Sequence, residues 1–336
     1  MDPYFTRIFS NYQEITLRYD PAYRAIWCYY KPAGRPCFSL NMLKELRRFQ
    51  QTIIDYFDNK REDVPSLVDY QVLHSQVPGT FSLGGDLAFF SKLIKEQNRE
   101  KLLEYALSCV DVCYLNAVNL HKPMTTIALV EGTALGGGFE SALSSNVLIA
   151  SERAEMGFPE IRFNLFPGMG AYSFLARACG PSITERVITS GEIYSSRQLY
   201  EMGIVHRLAK ADEEIACVRN FMAQHRQLAN GYRAIRLARQ LYNPLTYQEL
   251  ADITESWTDA ALRLEAKDLR LIDRLVRAQT LKISPQRGHL LVRTHQDRRF
   301  SGDSVTFPLI DWSGNVILQD RRHHIDRRQC SQYCMA

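Results

Sequence analysis

Apolar and polar positions alternate along this chain with two different periods. Near the start they alternate residue by residue, at about 14–19 and 23–30, which predicts a pair of strands. After Ser39 the apolar positions return every three or four residues, so they share one face of a predicted helix: Leu43, Leu46, Phe49, Ile53 and Phe57.

The same two patterns then follow each other along the chain. Short apolar and β-branched runs at about 65–73, 125–130 and 146–150 predict three more strands. Amphipathic stretches predict helices at about 84–114, 171–177, 182–189 and 247–279. Because strands and helices alternate in chain order, the pattern indicates an α/β fold.

The pattern changes after residue 282. Two short apolar runs, 307–310 and 316–318, flank a turn-forming segment and predict a hairpin. Residues 311–314 resemble a cyclic-dinucleotide loop, but the arginine spacing that such a loop needs is absent. We expect a solvated tail, with a partner-binding segment as the second alternative. The predicted division is a core at 1–245, a helical part at 246–284 and an arginine-rich tail at 285–336.

Composition narrows the class of protein. The 336 residues are 46% hydrophobic and 23% charged, a normal globular balance. No apolar run is long enough to span a membrane and the first residues do not form a secretory signal, so we expect a cytoplasmic protein. The net charge is +4, and eight arginines against five aspartates in the tail carry most of it, so a nucleic-acid partner is not expected.

Eight cysteines are scattered among apolar neighbours, which favours reduced, buried thiols over a disulfide framework. Cys330 and Cys334 lie near His323 and His324, so a metal site is the alternative. The spacing is unusual and a second cysteine pair is missing, so we predict no bound metal.

Two glycine-rich segments, 81–87 and 131–140, each join a predicted strand to a predicted helix. Glycine lets a ligand approach the backbone, and the first N–H groups of a helix can hold an oxyanion. Phosphate binding is a weaker alternative because neither segment has a nucleotide-loop motif. Close packing of helix on strand also accounts for either segment taken alone.

Two glutamates follow these glycines. Glu140 falls in the first turn of a predicted helix, where it could serve the helix dipole or act on a group in the oxyanion site. Glu160 lies in an apolar loop, where burial would raise its pKa and suit it to proton transfer. Spacing alone does not show that the two carboxyl groups meet.

Residues 134–140, 157–160 and 167–170 together resemble the signature of the enoyl-CoA hydratase (crotonase) family, and residues 191–195 and 202–205 are similar to motifs that follow it. The resemblance extends from about residue 10 to 280. It implies a crotonase fold, in which β-β-α turns stack into a superhelix and a C-terminal helical part joins trimers or hexamers.

The resemblance also implies the site. Glu140 and Glu160 match the two catalytic glutamates of the hydratases. The backbone of Leu83, with Gly84 beside it, and of Gly137 would form the oxyanion hole. An apolar acyl pocket is expected, although ordinary core positions explain its candidates equally well: Leu135, Gly136, Met169, Trp257 and Leu275.

More narrowly, residues 81–87 and 166–174 and the helix containing Trp257 look like the bacterial diffusible-signal-factor synthases. That resemblance implies dehydration of a 3-hydroxyacyl thioester on acyl carrier protein and hydrolysis to a free cis-2-unsaturated fatty acid. No cofactor is expected beyond the carrier, acyl carrier protein or CoA. The alternatives are an ordinary enoyl-CoA hydratase and a non-catalytic binder of a partner such as a sensor histidine kinase.

Overall fold

The fold is described from a computed structural model, which covers residues 2–277 and the backbone of 278–281, 309–310 and 316–317. The chain divides into two compact units, Met1–Ile272 and Asp273–Ala336. The domain boundaries expected at 245 and 284 stay predictions. Within the second unit, β11 and β12 pair antiparallel, as the predicted hairpin requires; they span Leu309–Ile310 and Val316–Ile317.

A six-stranded sheet forms the larger layer of the first unit. Its order is β1-β2-β3-β5-β7-β10, where β1 and β2 are antiparallel and each later pair is parallel. All six residues of β5 are buried, as expected for a central parallel strand. The strands are Ile15–Asp20, Ala25–Tyr30, Tyr70–Ser75, Thr125–Val130, Val147–Ser151 and Arg207–Ala209.

A four-stranded sheet forms the smaller layer, in the order β4-β6-β8-β9. Three times in succession the chain leaves a strand of the large sheet and enters one of the small sheet, from β3 to β4, β5 to β6 and β7 to β8. This is the stacked β-β-α arrangement that the resemblance implies. The four strands are Thr80–Ser82, Thr133–Leu135, Glu155–Gly157 and Ile193–Ser195.

Helices pack around the two sheets. The large sheet and helix α9 share a buried apolar cluster that includes Trp27, Val72, Ile149 and Phe221. The helices α1 to α12 are Pro3–Ile8, Leu40–Asn59, Leu87–Lys95, Arg99–Ala117, Gly137–Leu143, Ala171–Cys179, Pro181–Ser190, Ser196–Glu201, Glu214–Gln227, Ala229–Tyr242, Tyr247–Leu262 and Ala266–Leu281.

Two predicted helices are each divided in the structure. The helix predicted at 84–114 is α3 and α4, because Gln97 has φ +53° and the Asn98 side chain caps a new first turn. The helix predicted at 247–279 is α11 and α12, and the Asp268 carboxylate accepts the Glu265 N–H where the second one starts. The strand predicted at 65–73 begins later because the Ser66 hydroxyl holds a local turn.

Candidate active site

Glu140 lies in the first turn of α5 and is 1% exposed. Its Oε1 accepts hydrogen bonds from the N–H groups of Met169, at 2.8 Å, and Ala171, at 3.0 Å. Burial raises the pKa of the Glu140 carboxyl to about 7, and the two N–H donors oppose that rise because they favour the charged form. The carboxyl group is therefore fixed in place and can exchange a proton near neutral pH.

Glu160 lies on a 3₁₀ turn, Pro159–Phe163, that follows β8. Although the residue is partly exposed, its Oε2 is buried and has no hydrogen-bond partner among the described residues. Burial, and then the nearby charge of Glu140, raise the pKa of the Glu160 carboxyl to about 8. The fold thus brings the two glutamates together, which their spacing in sequence could not establish.

Gly136, the residue directly before α5, lies against the Glu160 carboxyl group. Its φ is +52° and its ψ is −125°, a backbone conformation that favours glycine. A Cβ atom added there would lie 2.3 Å from Glu160 Oε1. The Glu160 carboxyl group therefore rests directly against the backbone that begins α5.

The two glycine segments identified in the sequence touch each other. Gly84 has φ +93°, and a Cβ on it would lie 2.9 Å from the Gly137 nitrogen. A Cβ on Gly137 would lie 3.3 Å from the Gly85 nitrogen. A Cβ on Gly138 would lie 2.2 Å from the Ser82 carbonyl oxygen. Close packing is thus one reason for the glycines, and it also brings two backbone nitrogens side by side.

The oxyanion hole predicted at Leu83, Gly84 and Gly137 stays a prediction, but two of its three N–H groups already have acceptors. The Leu83 N–H donates to the Pro36 carbonyl at 2.7 Å, and the Gly84 N–H donates to the Ser82 hydroxyl at 3.2 Å. In the part of the chain that the structure describes, the N–H groups of Gly85 and Gly137 donate to no protein acceptor. Gly85 is therefore a better candidate than Leu83 or Gly84 for a donor beside Gly137. The second glycine of the Gly-Gly pair was the available signal, and it was missed.

Helix α11 supports the loop that holds Glu140. Trp257 is 2% exposed, and a Cβ on Gly168 would lie 2.3 Å from its Cγ. The Thr254 hydroxyl donates to the Gly168 carbonyl at 2.9 Å. Since Gly168 precedes the N–H of Met169, α11 fixes a donor of Glu140.

The remaining pocket candidates are placed differently. Gly136 and Met169 are buried, and Leu135 is half-buried at the end of β6, next to Gly136. Leu275 belongs to the second compact unit and is 36% exposed, and its pocket role stays a prediction. The acyl-pocket role of Leu135, Gly136, Met169 and Trp257 stays a prediction.

Replacing Thr254 by valine is expected to lower activity about three- to tenfold, because the loop that orients Glu140 loses its bond to α11. The loss of stability should be about 1 kcal/mol. Thr258→Val is the matched control. Thr258 is also fully buried, and within the described residues its hydroxyl bonds only to the Thr254 carbonyl. Steady-state rates and urea denaturation check both variants; equal rates for the two would contradict the support by α11.

Among residues 2–281, no group of three histidine, cysteine, aspartate or glutamate side chains could hold a metal ion, and the predicted alternative at 323–334 lies outside the described residues. The same part of the chain contains no helix of the length and apolarity needed to cross a membrane. Its six cysteines are free thiols, of which Cys28, Cys37 and Cys113 are buried and the other three are half-buried.

Comparison with solved structures shows the fold. The chain is similar to an enoyl-CoA hydratase from Bacillus halodurans, with a TM-score of 0.63 and 20% identity, over 79% of this chain and all of that one. It is also similar to an enoyl-CoA hydratase/isomerase from Xanthobacter autotrophicus Py2, with a TM-score of 0.63 and 20% identity, over 81% of this chain and 96% of that one.

Comparison of sequences shows the family. The chain is 28% identical to the mitochondrial methylglutaconyl-CoA hydratase of Mus musculus over 62% of each chain. It is 30% identical to the human one over 51% of this chain and 49% of that one, so it spans less than two thirds of either relative. The model of the family described as enoyl-CoA hydratase/isomerase matches residues 47–258, more than half of the chain. This protein therefore belongs to the enoyl-CoA hydratase/isomerase family, the crotonase superfamily.

Proposed function

We propose that this protein is a hydro-lyase that interconverts 2-enoyl and 3-hydroxyacyl thioesters. The observation that carries the proposal is the pair of carboxyl groups with raised pKa values, Glu140 and Glu160, beside the free N–H groups of Gly85 and Gly137. Two donors aimed at the thioester oxygen stabilise the enolate that forms when water adds or leaves. One such donor contributes about 3 kcal/mol in related acyl chemistry.

The two carboxyl groups differ in the hydrogen bonds that they accept, and this difference assigns the base to Glu140 and the acid to Glu160. Glu140 Oε1 accepts two N–H groups, which favours its ionised form, whereas Glu160 Oε2 has no partner in the described chain, which favours its protonated form. In hydration, Glu140 takes a proton from water as the water oxygen bonds to C3, and Glu160 delivers its proton to C2 of the enolate. Dehydration is the reverse, with the two protonation states exchanged.

A bell-shaped pH dependence is expected for hydration. The rate constant kcat/KM should rise as Glu140 ionises, near pH 7, and fall as Glu160 loses its proton, near pH 8. Because the two charges interact, the two apparent pKa values belong to the pair. Initial rates on a 2-enoyl-CoA from about pH 5 to about pH 10 test this. A flat profile across this range would remove the two-carboxyl mechanism.

Within this class, we propose a diffusible-signal-factor synthase that uses 3-hydroxyacyl-acyl-carrier-protein and releases a free cis-2-enoic acid. The support is the resemblance of residues 81–87 and 166–174 to those synthases. Hydrolysis would need a second water, activated by one of the same carboxylates, to attack the thioester carbon. An ordinary hydratase acting on CoA esters fits the site equally well, and the names of the sequence relatives favour it.

Mass spectrometry separates these two functions. Purified protein is incubated with a long-chain 3-hydroxyacyl-acyl-carrier-protein and, separately, with the matching CoA ester. Free 2-enoic acid from the carrier-protein substrate supports the synthase. Enoyl thioester without free acid supports the ordinary hydratase. No turnover of either substrate would overturn the hydro-lyase and leave the binding protein, for example a partner of a sensor histidine kinase.

We also propose that the chain assembles as a homotrimer or hexamer. Helix α10 supports this because none of its residues is buried within the chain. It exposes Ile235 by 62%, Leu241 by 86% and Tyr242 by 90%, which is more apolar surface than one isolated side chain would account for.

A further inference from the structure

The peptide unit that carries the Gly85 N–H is held from its other end. That unit joins Gly84 to Gly85, and its carbonyl oxygen accepts the Phe38 N–H at 2.8 Å. A trans peptide directs its C=O and N–H to opposite sides. The bond from Phe38 therefore aims the Gly85 N–H away from Phe38. A hydrogen bond to the carbonyl also polarises the same unit and strengthens its N–H as a donor.

Phe38 belongs to a short segment, 35–38, that lies along the glycine turn, and we call it the clamp segment. Besides the bond from Phe38, its Pro36 carbonyl accepts the Leu83 N–H at 2.7 Å. The Arg35 guanidinium pairs with Asp86 at 2.6 Å. The clamp segment thus bonds to the turn before, at and after the peptide unit that carries the Gly85 N–H.

The hydroxyl group of Tyr105 also connects the clamp segment to the turn. Tyr105, on α4, is 1% exposed, and its hydroxyl donates to the Phe38 carbonyl and accepts the Asp86 N–H at 3.0 Å. Its ring packs edge-on against Phe90, with the centroids 5.0 Å apart, which limits its movement. The hydroxyl therefore bonds to Phe38, whose N–H donates to the Gly84 carbonyl, and to Asp86, which follows Gly85.

We propose that Tyr105 is a positioning residue, which sets the direction of the Gly85 N–H through the clamp segment. Without the hydroxyl, the Phe38 carbonyl and the Asp86 N–H lose their shared partner, and the direction of the peptide unit between Gly84 and Gly85 is less firmly fixed. A misaimed donor loses most of its effect because stabilisation of an oxyanion depends on geometry fixed before reaction. The activity part of this proposal rests on the proposed function.

Tyr105→Phe tests the proposal against a matched control, Tyr56→Phe. Tyr56 is also 1% exposed, and its hydroxyl accepts the Leu67 N–H at 2.7 Å, far along the chain from the glycine turns. We expect similar losses of Tm for the two variants. Only Tyr105→Phe should lower kcat, by about ten- to hundredfold, with KM changed by less than about threefold. Unchanged kcat at a lowered Tm would give Tyr105 a structural role alone and overturn the proposal.

A spectroscopic measurement separates this proposal from the proposed function. Octanoyl-CoA and octanoyl-acyl-carrier-protein have no hydroxyl group or double bond to react, but their thioester carbonyl can enter the oxyanion site. Infrared difference spectra should show the carbonyl stretch shifted to lower frequency by wild type and Tyr56→Phe, and by less than about half as much by Tyr105→Phe. Equal shifts, or none with wild type, would overturn the proposal whether or not the protein is a hydro-lyase.

A second variant keeps the test open if Tyr105→Phe does not fold. Arg35→Gln removes a partly exposed ion pair to Asp86, so the fold should tolerate it. We expect kcat to fall about threefold or more with unchanged KM, because the clamp segment loses one of its attachments. If this variant turns over thioesters and shifts the octanoyl carbonyl as wild type does, the clamp does not aim the donor.

Discussion

Replacing Glu140 by glutamine is expected to lower kcat about 10²- to 10⁴-fold while the protein stays folded, and the same holds for Glu160→Gln. The amide oxygen of a glutamine at 140 can still accept the N–H groups of Met169 and Ala171, so the loop keeps its anchor. What is lost is the ability to exchange a proton. Single-turnover rates on a 2-enoyl-CoA, with circular dichroism to check the fold, measure the effect.

Glu45→Gln is the control for these variants. Glu45 is also a buried glutamate that accepts two backbone N–H groups, those of Gln13 and Glu14, at 2.7 and 2.8 Å. It belongs to α2 and has no part in the site, so its replacement should cost stability without changing kcat. If Glu45→Gln lowered kcat as much as Glu140→Gln, the loss would reflect a damaged core rather than missing chemistry.

Glu160→Gln is expected to raise the free energy of unfolding at neutral to alkaline pH, although it lowers kcat. The folded-state pKa of Glu160, about 8, is above its ordinary value of 4.5, so the folded protein binds this proton more tightly than the unfolded chain does. Its contribution to the free energy of unfolding is present below pH 4.5 and is lost as the pH rises through about 8. A glutamine has no such loss. Urea denaturation should therefore show Glu160→Gln gaining stability over wild type between about pH 6 and about pH 9.

Gly136→Ala is expected to abolish most activity, with a fall in kcat of about 10²-fold or more. Its new Cβ would lie 2.3 Å from Glu160 Oε1 and would force the carboxyl group out of place. The backbone strain at φ +52° and ψ −125° adds a loss of stability of about 1–3 kcal/mol. Steady-state kinetics together with urea denaturation measure the two effects separately.

Gly180→Ala separates backbone strain from the collision. Gly180 has φ +80° and ψ 164°, between α6 and α7, and a Cβ there would meet nothing within 4 Å. It should lose comparable stability and keep its kcat. If both variants kept wild-type kcat, Glu160 would not be held where its contact with Gly136 places it.

Local patterns predicted much of the fold. The period of α2 is visible in the sequence, because the helix buries one face and a buried face imposes its own repeat. The breaks inside 84–114 and 247–279 were not predicted. Each depends on one residue, Asn98 or Asp268, whose side chain starts a new helix, and such a residue alters the apolar repeat very little.

The site was predicted less completely, for a different reason. The glycines and Glu140 lie together in sequence and could be recognised as a group. The meeting of Glu160 with Gly136, and the choice of Gly85 over Leu83, depend on contacts between separate turns of the fold. The Leu83 N–H is occupied because the carbonyl of the distant Pro36 accepts it, and the local sequence does not show that contact.

The proposed reacting groups come from three consecutive β-β-α repeats. Gly85 follows β4, Gly137 and Glu140 follow β6, and Glu160 follows β8, so three of the four strands of the small sheet deliver these groups. Deleting or duplicating one whole repeat could keep every strand paired, yet the donors and the carboxylates would no longer face one another. Between about residues 80 and 165 this chain should therefore accept new side chains far more readily than changes in length.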